Sequence, residues 1–158
     1  MMVDHGHALS AVSVVMSAHF FGMFGLVLVA GQIVDRVGRR QAIIFGLIIL
    51  TCGALLLLTS SALVAMIPAL FLVGVGWNLA FVGSTSVLAD AATARERGKL
   101  LGFNDFVAMN VSAVFTMLFA VVYGEAGLVP LVGMATFLTL VPILGFVRRK
   151  PRVQEVHS

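Results

Sequence analysis

Long apolar runs separated by short polar punctuation dominate this chain. They extend over about residues 9–30, 41–59, 62–89, 100–123 and 128–147. At about 1.5 Å of helical rise per residue, such lengths cross a hydrocarbon core of about 30 Å. The pattern predicts an all-α membrane protein with five transmembrane helices, and no linker divides residues 1–158 into two domains. Thr59-Ser60-Ser61 predicts an uncharged turn, and Gly124 to Gly127 a tight one.

Small and polar residues inside the runs predict how the helices meet. Ala18, Gly22 and Gly25 give the first span a small face, and Gly76, Ala80 and Ser84 recur every four residues in the third. Small faces let helices approach closely in lipid, where packing replaces the hydrophobic drive. Pro68 removes a backbone donor and is expected to bend or loosen the third span. His19, near the middle of the first span, reads either as a proton or substrate group or as a histidine bonded between helices. Asn78, beside a centrally placed Trp77, reads as cavity lining or as a helix bridge. In the fourth span Asn104 and Asp105 come early and Asn110 follows deeper; a carboxylate there is expected to face protein or water.

Composition moves the reading away from a soluble domain. Hydrophobic residues make up 60% of the chain and charged residues only 11%, with mean hydropathy +1.09. Soluble domains carry about 25% charge, so the bilayer is the expected solvent and first partner. The formal charge of +3 does not mark a nucleic-acid face, because the basic residues form three short clusters beside apolar runs. Cys52 is the only cysteine, which excludes an internal disulfide and any multi-cysteine metal site. The start carries Asp4, His5 and His7 but no positively charged region of the kind that opens a signal peptide. Enzyme constellations are not found. Ser84-Thr85-Ser86 lacks a nearby histidine and acid, and Gly74-x-Gly76 follows no strand. Neither a metal nor a cofactor is expected.

Charge placement sets the orientation. With five spans, all ten Lys and Arg fall on one side, in the first connection, the third connection and the tail. Under the positive-inside rule those three are cytoplasmic, the N-terminus lies outside, and the protein is a multi-pass component of the inner (plasma) membrane.

The first basic cluster has an ordered spacing: Gly31, Ile33, Asp35, Arg36, Gly38, Arg39, Arg40, then Ile43. It resembles the cytoplasmic loop signature of the major facilitator superfamily, G-x-L-x-D-R-x-G-R-[RK]-x-x-[LI], with Ile33 where the family more often has Leu. The third connection, Asp90 followed by Arg95, Glu96, Arg97, Gly98 and Lys99, resembles the family's loop between the fourth and fifth spans of a half. Asp4 to Ser13, Gly74 to Asn78 and Gly102 to Phe106 extend the resemblance over nearly the whole chain. It is similar to the carboxyl-terminal half of a bacterial drug-exporter-like member, from the eighth to the twelfth span, with the first helix of that six-helix half missing.

The resemblance implies secondary active transport of a small molecule, with proton exchange as the expected drive. It implies a gating role for Gly31, Asp35, Arg36, Gly38, Arg39 and Arg40, with Asp35 facing the start of the fourth span near Lys99 to Gly102. His19, Asn78, Asn104, Asp105 and Asn110 are the candidates for a substrate or proton pathway. An amino-terminal half, on the same or a separate chain, is the implied partner, and a fragment lacking it is not expected to transport alone. The rivals are a non-transporting membrane partner or assembly subunit, and an intramembrane enzyme built on His19 and Asp105.

Overall fold

The computed structural model describes residues 9–60 and 62–148, with side chains for 10–60 and 62–145. The features expected at Asp4, His5, His7, Ser61 and 149–152 lie outside the described residues. Every described element is helical. Four helices are individually long and apolar enough to cross a membrane, and a bent pair makes the count five. The expected all-α organisation is therefore present, with five spans when the bent pair is counted as one.

The first span is the bent pair. Helix α1 (Leu9–Phe20) leads into a π-helical turn at Phe21–Gly25, and α2 (Val27–Val37) continues at an angle of 47°. The bend occurs without proline, at the wider hydrogen-bonding register of the π turn. Helix α2 also runs on through the charged cluster, so the expected loop over Gly31 to Arg40 contracts to Gly38 alone. Charge ends a membrane-buried stretch, but it does not break a helix. Gly38 does, at φ 89° and ψ 146°, a conformation that a Cβ disfavours. Its N–H donates to the Val34 carbonyl, and its own carbonyl accepts from Ala42, each at 3.0 Å.

Helix α3 (Arg39–Leu56) ends in a turn at 57–59, where the Thr59 hydroxyl donates to the Leu56 carbonyl at 2.8 Å. Helix α4 (Leu63–Ala91) is unbroken through Pro68, and α5 (Arg97–Ala126) follows a five-residue connection. The turn expected over 124–127 is also shorter than its sequence suggests. Helix α5 continues to Ala126, and only Gly127, at φ 81°, separates it from α6 (Leu128–Arg148).

The tightest packing joins α3 to α4. A Cβ on Gly46 would lie 2.5 Å from the Ala80 nitrogen and 2.7 Å from the Gly76 carbonyl. One on Gly53 would lie 2.8 Å from both the Ala69 carbonyl and the Val73 nitrogen, and one on Gly83 would strike Ile43 at 2.9 Å. Backbone meets backbone at these levels, the geometry by which small residues replace bulk in lipid. Gly76 and Ala80 thus lie on the expected small face. Ser84 does not, since it is exposed and bonds back to the Ala80 carbonyl at 2.6 Å. Gly83 takes its place. Ala30, Val34, Ala42 and Leu79 form the buried apolar cluster where α2, α3 and α4 converge. Thr51 and Thr139 place their hydroxyl oxygens 2.7 Å apart between α3 and α6.

The exterior is apolar. Leu28, Val64 and Met117 are 80%, 85% and 75% exposed, an outer surface suited to lipid or another apolar partner rather than water.

Candidate functional site

Two places bring the predicted polar residues together: one end of the bundle, and a cavity near its middle. At the end, Arg39 opens α3 and Asp90 lies at the close of α4. The Arg39 guanidinium grips the carboxylate with both arms, Nη2 to Oδ1 at 3.0 Å and Nε to Oδ2 at 2.6 Å. This bidentate pair joins the first basic connection to the third and fixes both at the same end, as the charge count requires. The two side chains are 44% and 54% exposed, so their contribution to stability is at the scale of a surface pair, about 0–1 kcal/mol.

The third connection is internally braced. The Thr93 hydroxyl donates to Glu96 Oε2 at 2.8 Å, and the Glu96 and Arg97 N–H groups both donate to the Thr93 carbonyl at 3.0 Å. Arg97 Nε donates to the Ala89 carbonyl at 3.1 Å, placing a cation at the C-terminus of α4, where the helix dipole favours it. Arg95, Gly98 and Lys99 are exposed on the same connection.

Asp35 departs from its expected place. It stands exposed on α2, and among the described residues it makes no hydrogen bond or ion pair. Helix α2 packs on α3 and α4 and does not touch α5, so Asp35 does not meet the Lys99 to Gly102 turn in this conformation. The continuation of α2 as helix is the physical reason: it holds Asp35 on an outer face that a flexible loop would not dictate. Gly31 is half-buried, Arg36 is exposed, and Arg40 is half-buried in the first turn of α3.

The second place is built where α1 crosses α4. A Cβ on Gly22 would lie 2.7 Å from the Phe71 carbonyl, and Gly74 meets the His19 carbonyl just as closely. Two polar side chains bridge this crossing. His19 Nδ1 lies 2.9 Å from the Leu70 carbonyl; because a carbonyl only accepts, that nitrogen carries the hydrogen. Asn78, 2% exposed, donates to the Gly22 carbonyl within the π turn at 3.3 Å. Both residues are therefore helix bridges, and His19 is a cavity residue as well.

That cavity, about 320 Å³, is lined by His19 and Met23 from the first span, Leu50 from α3, Trp77 from α4, and Phe115, Thr116 and Phe119 from α5, among others. A second one of about 310 Å³ lies beyond Trp77 and Leu50, which belong to both, and reaches Ser84 and Pro142. Of the other pathway candidates, Asn110 lines a separate groove and donates to Phe106 of its own helix at 2.7 Å. Asn104 and Asp105 lie near the start of α5, with Asn104 Nδ2 3.4 Å from the Asp105 carboxylate. They do not join the cavity. Sequence reasoning missed Phe115 and Phe119. Their spacing of four, in step with Ser112 and Thr116, is the signal that marks one helical face.

Apolar helices around a mid-span cavity, with paired charge at one end, define a polytopic helical membrane protein. The family model of the major facilitator superfamily matches residues 1–158, and the chain belongs to that superfamily. It is 31% identical to the riboflavin transporter RfnT of Brucella anthropi over 112 residues, 71% of this chain and 28% of the relative. With the uncharacterized MFS-type transporter YdeG of Bacillus subtilis it shares 31% over 147 residues, 90% of this chain and 34% of the relative. With the multidrug resistance protein MdtL of Klebsiella pneumoniae it shares 30% over 98 residues, 62% and 25% of the two chains. The chain thus spans about a third or less of the length of these relatives. No solved structure matches it.

Proposed function

We propose that this chain supplies five spans of a secondary active transporter that carries a small molecule across the membrane, and that it acts with an amino-terminal half. The observation that carries the reading is the half-open mid-span cavity where α1, α3, α4 and α5 meet. In this superfamily two bundles rock around a midplane site, and a half-cavity is the shape one bundle contributes. The Arg39–Asp90 pair fastens α3 to α4 at the end assigned to the cytoplasm, so that those helices turn as one body. The motif resemblance is what suggests proton exchange as the drive and efflux as the direction. The named cargoes of the relatives, riboflavin and multiple drugs, differ from one another and do not select one here. Assignment to the carboxyl-terminal half of a drug-exporter-like member rests on the motifs at Gly31 to Ile43, Asp90 to Lys99 and Gly102 to Phe106.

The test is transport in proteoliposomes by this chain alone and with a seven-span partner, with a pH-sensitive dye inside the vesicles. Transport with the partner, accompanied by a pH change, is the expected result. A tightly assembled complex that moves no solute under any gradient would favour the rival reading, a non-transporting partner subunit. Orientation is tested separately. Single cysteines at Ala94 and Gly124, in a Cys52→Ala background, should label from opposite faces of intact cells, Ala94 from the cytoplasmic one. Labelling of both from one face would break the five-span arrangement.

A further inference from the structure

The transport reading leaves the ring chemistry of the mid-span cavity unexplained. Four ring side chains line it: His19, Trp77, Phe115 and Phe119. Trp77 is held by fixed neighbours. Phe81 stacks on it with centroids 4.8 Å apart and planes 8° apart, and Phe24 meets it in T-shaped geometry at 5.9 Å and 68°. Across the cavity, Phe115 and Phe119 form a ring wall on α5, with centroids 6.0 Å apart. Such surfaces favour offset or edge contacts with another aromatic system.

Charge and hydrogen bonding narrow the choice. Among the described residues no Asp, Glu, Lys or Arg lines the cavity, so a charged guest would lose its hydration with no counter-charge from them. His19 Nδ1 is committed to Leu70, so in the Nδ1–H tautomer Nε2 is the acceptor left for a guest. The Thr116 hydroxyl donates to the Ser112 carbonyl at 2.8 Å, so it too faces a guest as an acceptor. The Ser112 hydroxyl, also on the lining, can turn either way, so π faces with acceptors at His19 and Thr116 favour flat molecules that carry a donor.

We infer that this cavity takes an uncharged, planar ring system bearing an N–H or O–H donor on its edge. The inference rests on the transport reading only in treating the cavity as the place where cargo sits. The part of the cavity that this chain encloses, about 320 Å³, is within the range of ligand pockets and accommodates a fused heterocycle.

Trp77 is the only tryptophan among the 158 residues, so its fluorescence reports on this cavity. The full chain in lipid nanodiscs is titrated with theophylline, caffeine and sorbitol. Both xanthines are flat and uncharged near neutral pH; theophylline keeps a ring N–H where caffeine has a methyl group, and sorbitol is a polyol without a ring. Saturable quenching is expected, with theophylline binding about threefold or more tighter than caffeine and sorbitol inert. Phe115→Leu and Phe119→Leu should each weaken theophylline by roughly threefold to tenfold while the helical circular dichroism is unchanged. Absence of saturable quenching, equal affinity for the two xanthines, or quenching unaffected in both variants would overturn the inference. Saturable xanthine binding by the chain, alongside an assembled complex with the seven-span partner that transports nothing, would remove the transport reading and uphold this one. Uptake of a polyol without xanthine quenching would do the reverse.

Discussion

Helices α4 and α5 are nearly equal in length, 29 and 30 residues, and both are apolar enough to span a bilayer. Their surroundings differ completely. Met66, Ala69, Gly74, Gly76, Asn78, Leu79 and Gly83 are buried along α4, and no residue of α5 is. A Cβ on Gly74, Gly76 or Gly83 would strike a neighbouring helix, whereas one on Gly98, Gly102 or Gly124 of α5 would meet nothing within 4 Å. Hydropathy reports only that the solvent is lipid. The small residues of α4 report where another helix already lies, whereas the glycines of α5 face no neighbour among the described residues.

The contrast breaks most severely at its tightest point. Gly46→Leu should force α3 off Ala80 and Gly76 and cost on the order of 3 kcal/mol, read as a loss of thermal stability in detergent. If Gly46→Leu is as stable as the parent, the two backbones do not touch. Next come the two asparagines. Asn78→Leu removes the buried bond to the Gly22 carbonyl and should cost about 0.5–1.5 kcal/mol. Asn110→Leu, which loses only an exposed bond to its own helix, should stay within about 0.5 kcal/mol. Equal losses at the two positions would erase the distinction between a filled helix face and an open one.

The end of the bundle gives a smaller effect. Asp90→Asn should cost about 0.2–1 kcal/mol, and the double exchange Arg39→Asp with Asp90→Arg should recover part of what each single reversal loses. A double variant no better than the worse single one would deny the pair any coupling. Smallest of all, Met117→Ala on α5 should change stability by less than about 0.5 kcal/mol in detergent, where no partner covers it. A large loss there would mean that α5 already has a neighbour.

The span count and the shared end of the first and third connections were legible in the sequence because run length and charge placement carry them directly. Helix ends were less so. Asp35 and Arg36 mark where apolar lipid stops, yet the backbone keeps its hydrogen bonds past them until Gly38. The bend at Leu26 left no proline to read. On α4 the small stripe was followed one step too far. Eight residues along a helix of 3.6 residues per turn, Ser84 has drifted about 80° from Gly76, whereas Gly83, seven along, has drifted only about 20°. The cavity was half legible: His19 and Trp77 stood out as oddities in apolar runs, but Phe115 and Phe119 look like ordinary lipid-facing bulk until Trp77 is seen opposite.

The one-residue joint at Gly38 has a mechanical meaning. Two rods linked by a long loop can pivot independently, because the loop takes up the difference. Between Val37 and Arg39 there is no such slack, so any displacement of the end of α2 is passed on to the start of α3. Lengthening that joint by a few flexible residues would leave every helix in place and still uncouple the two rods.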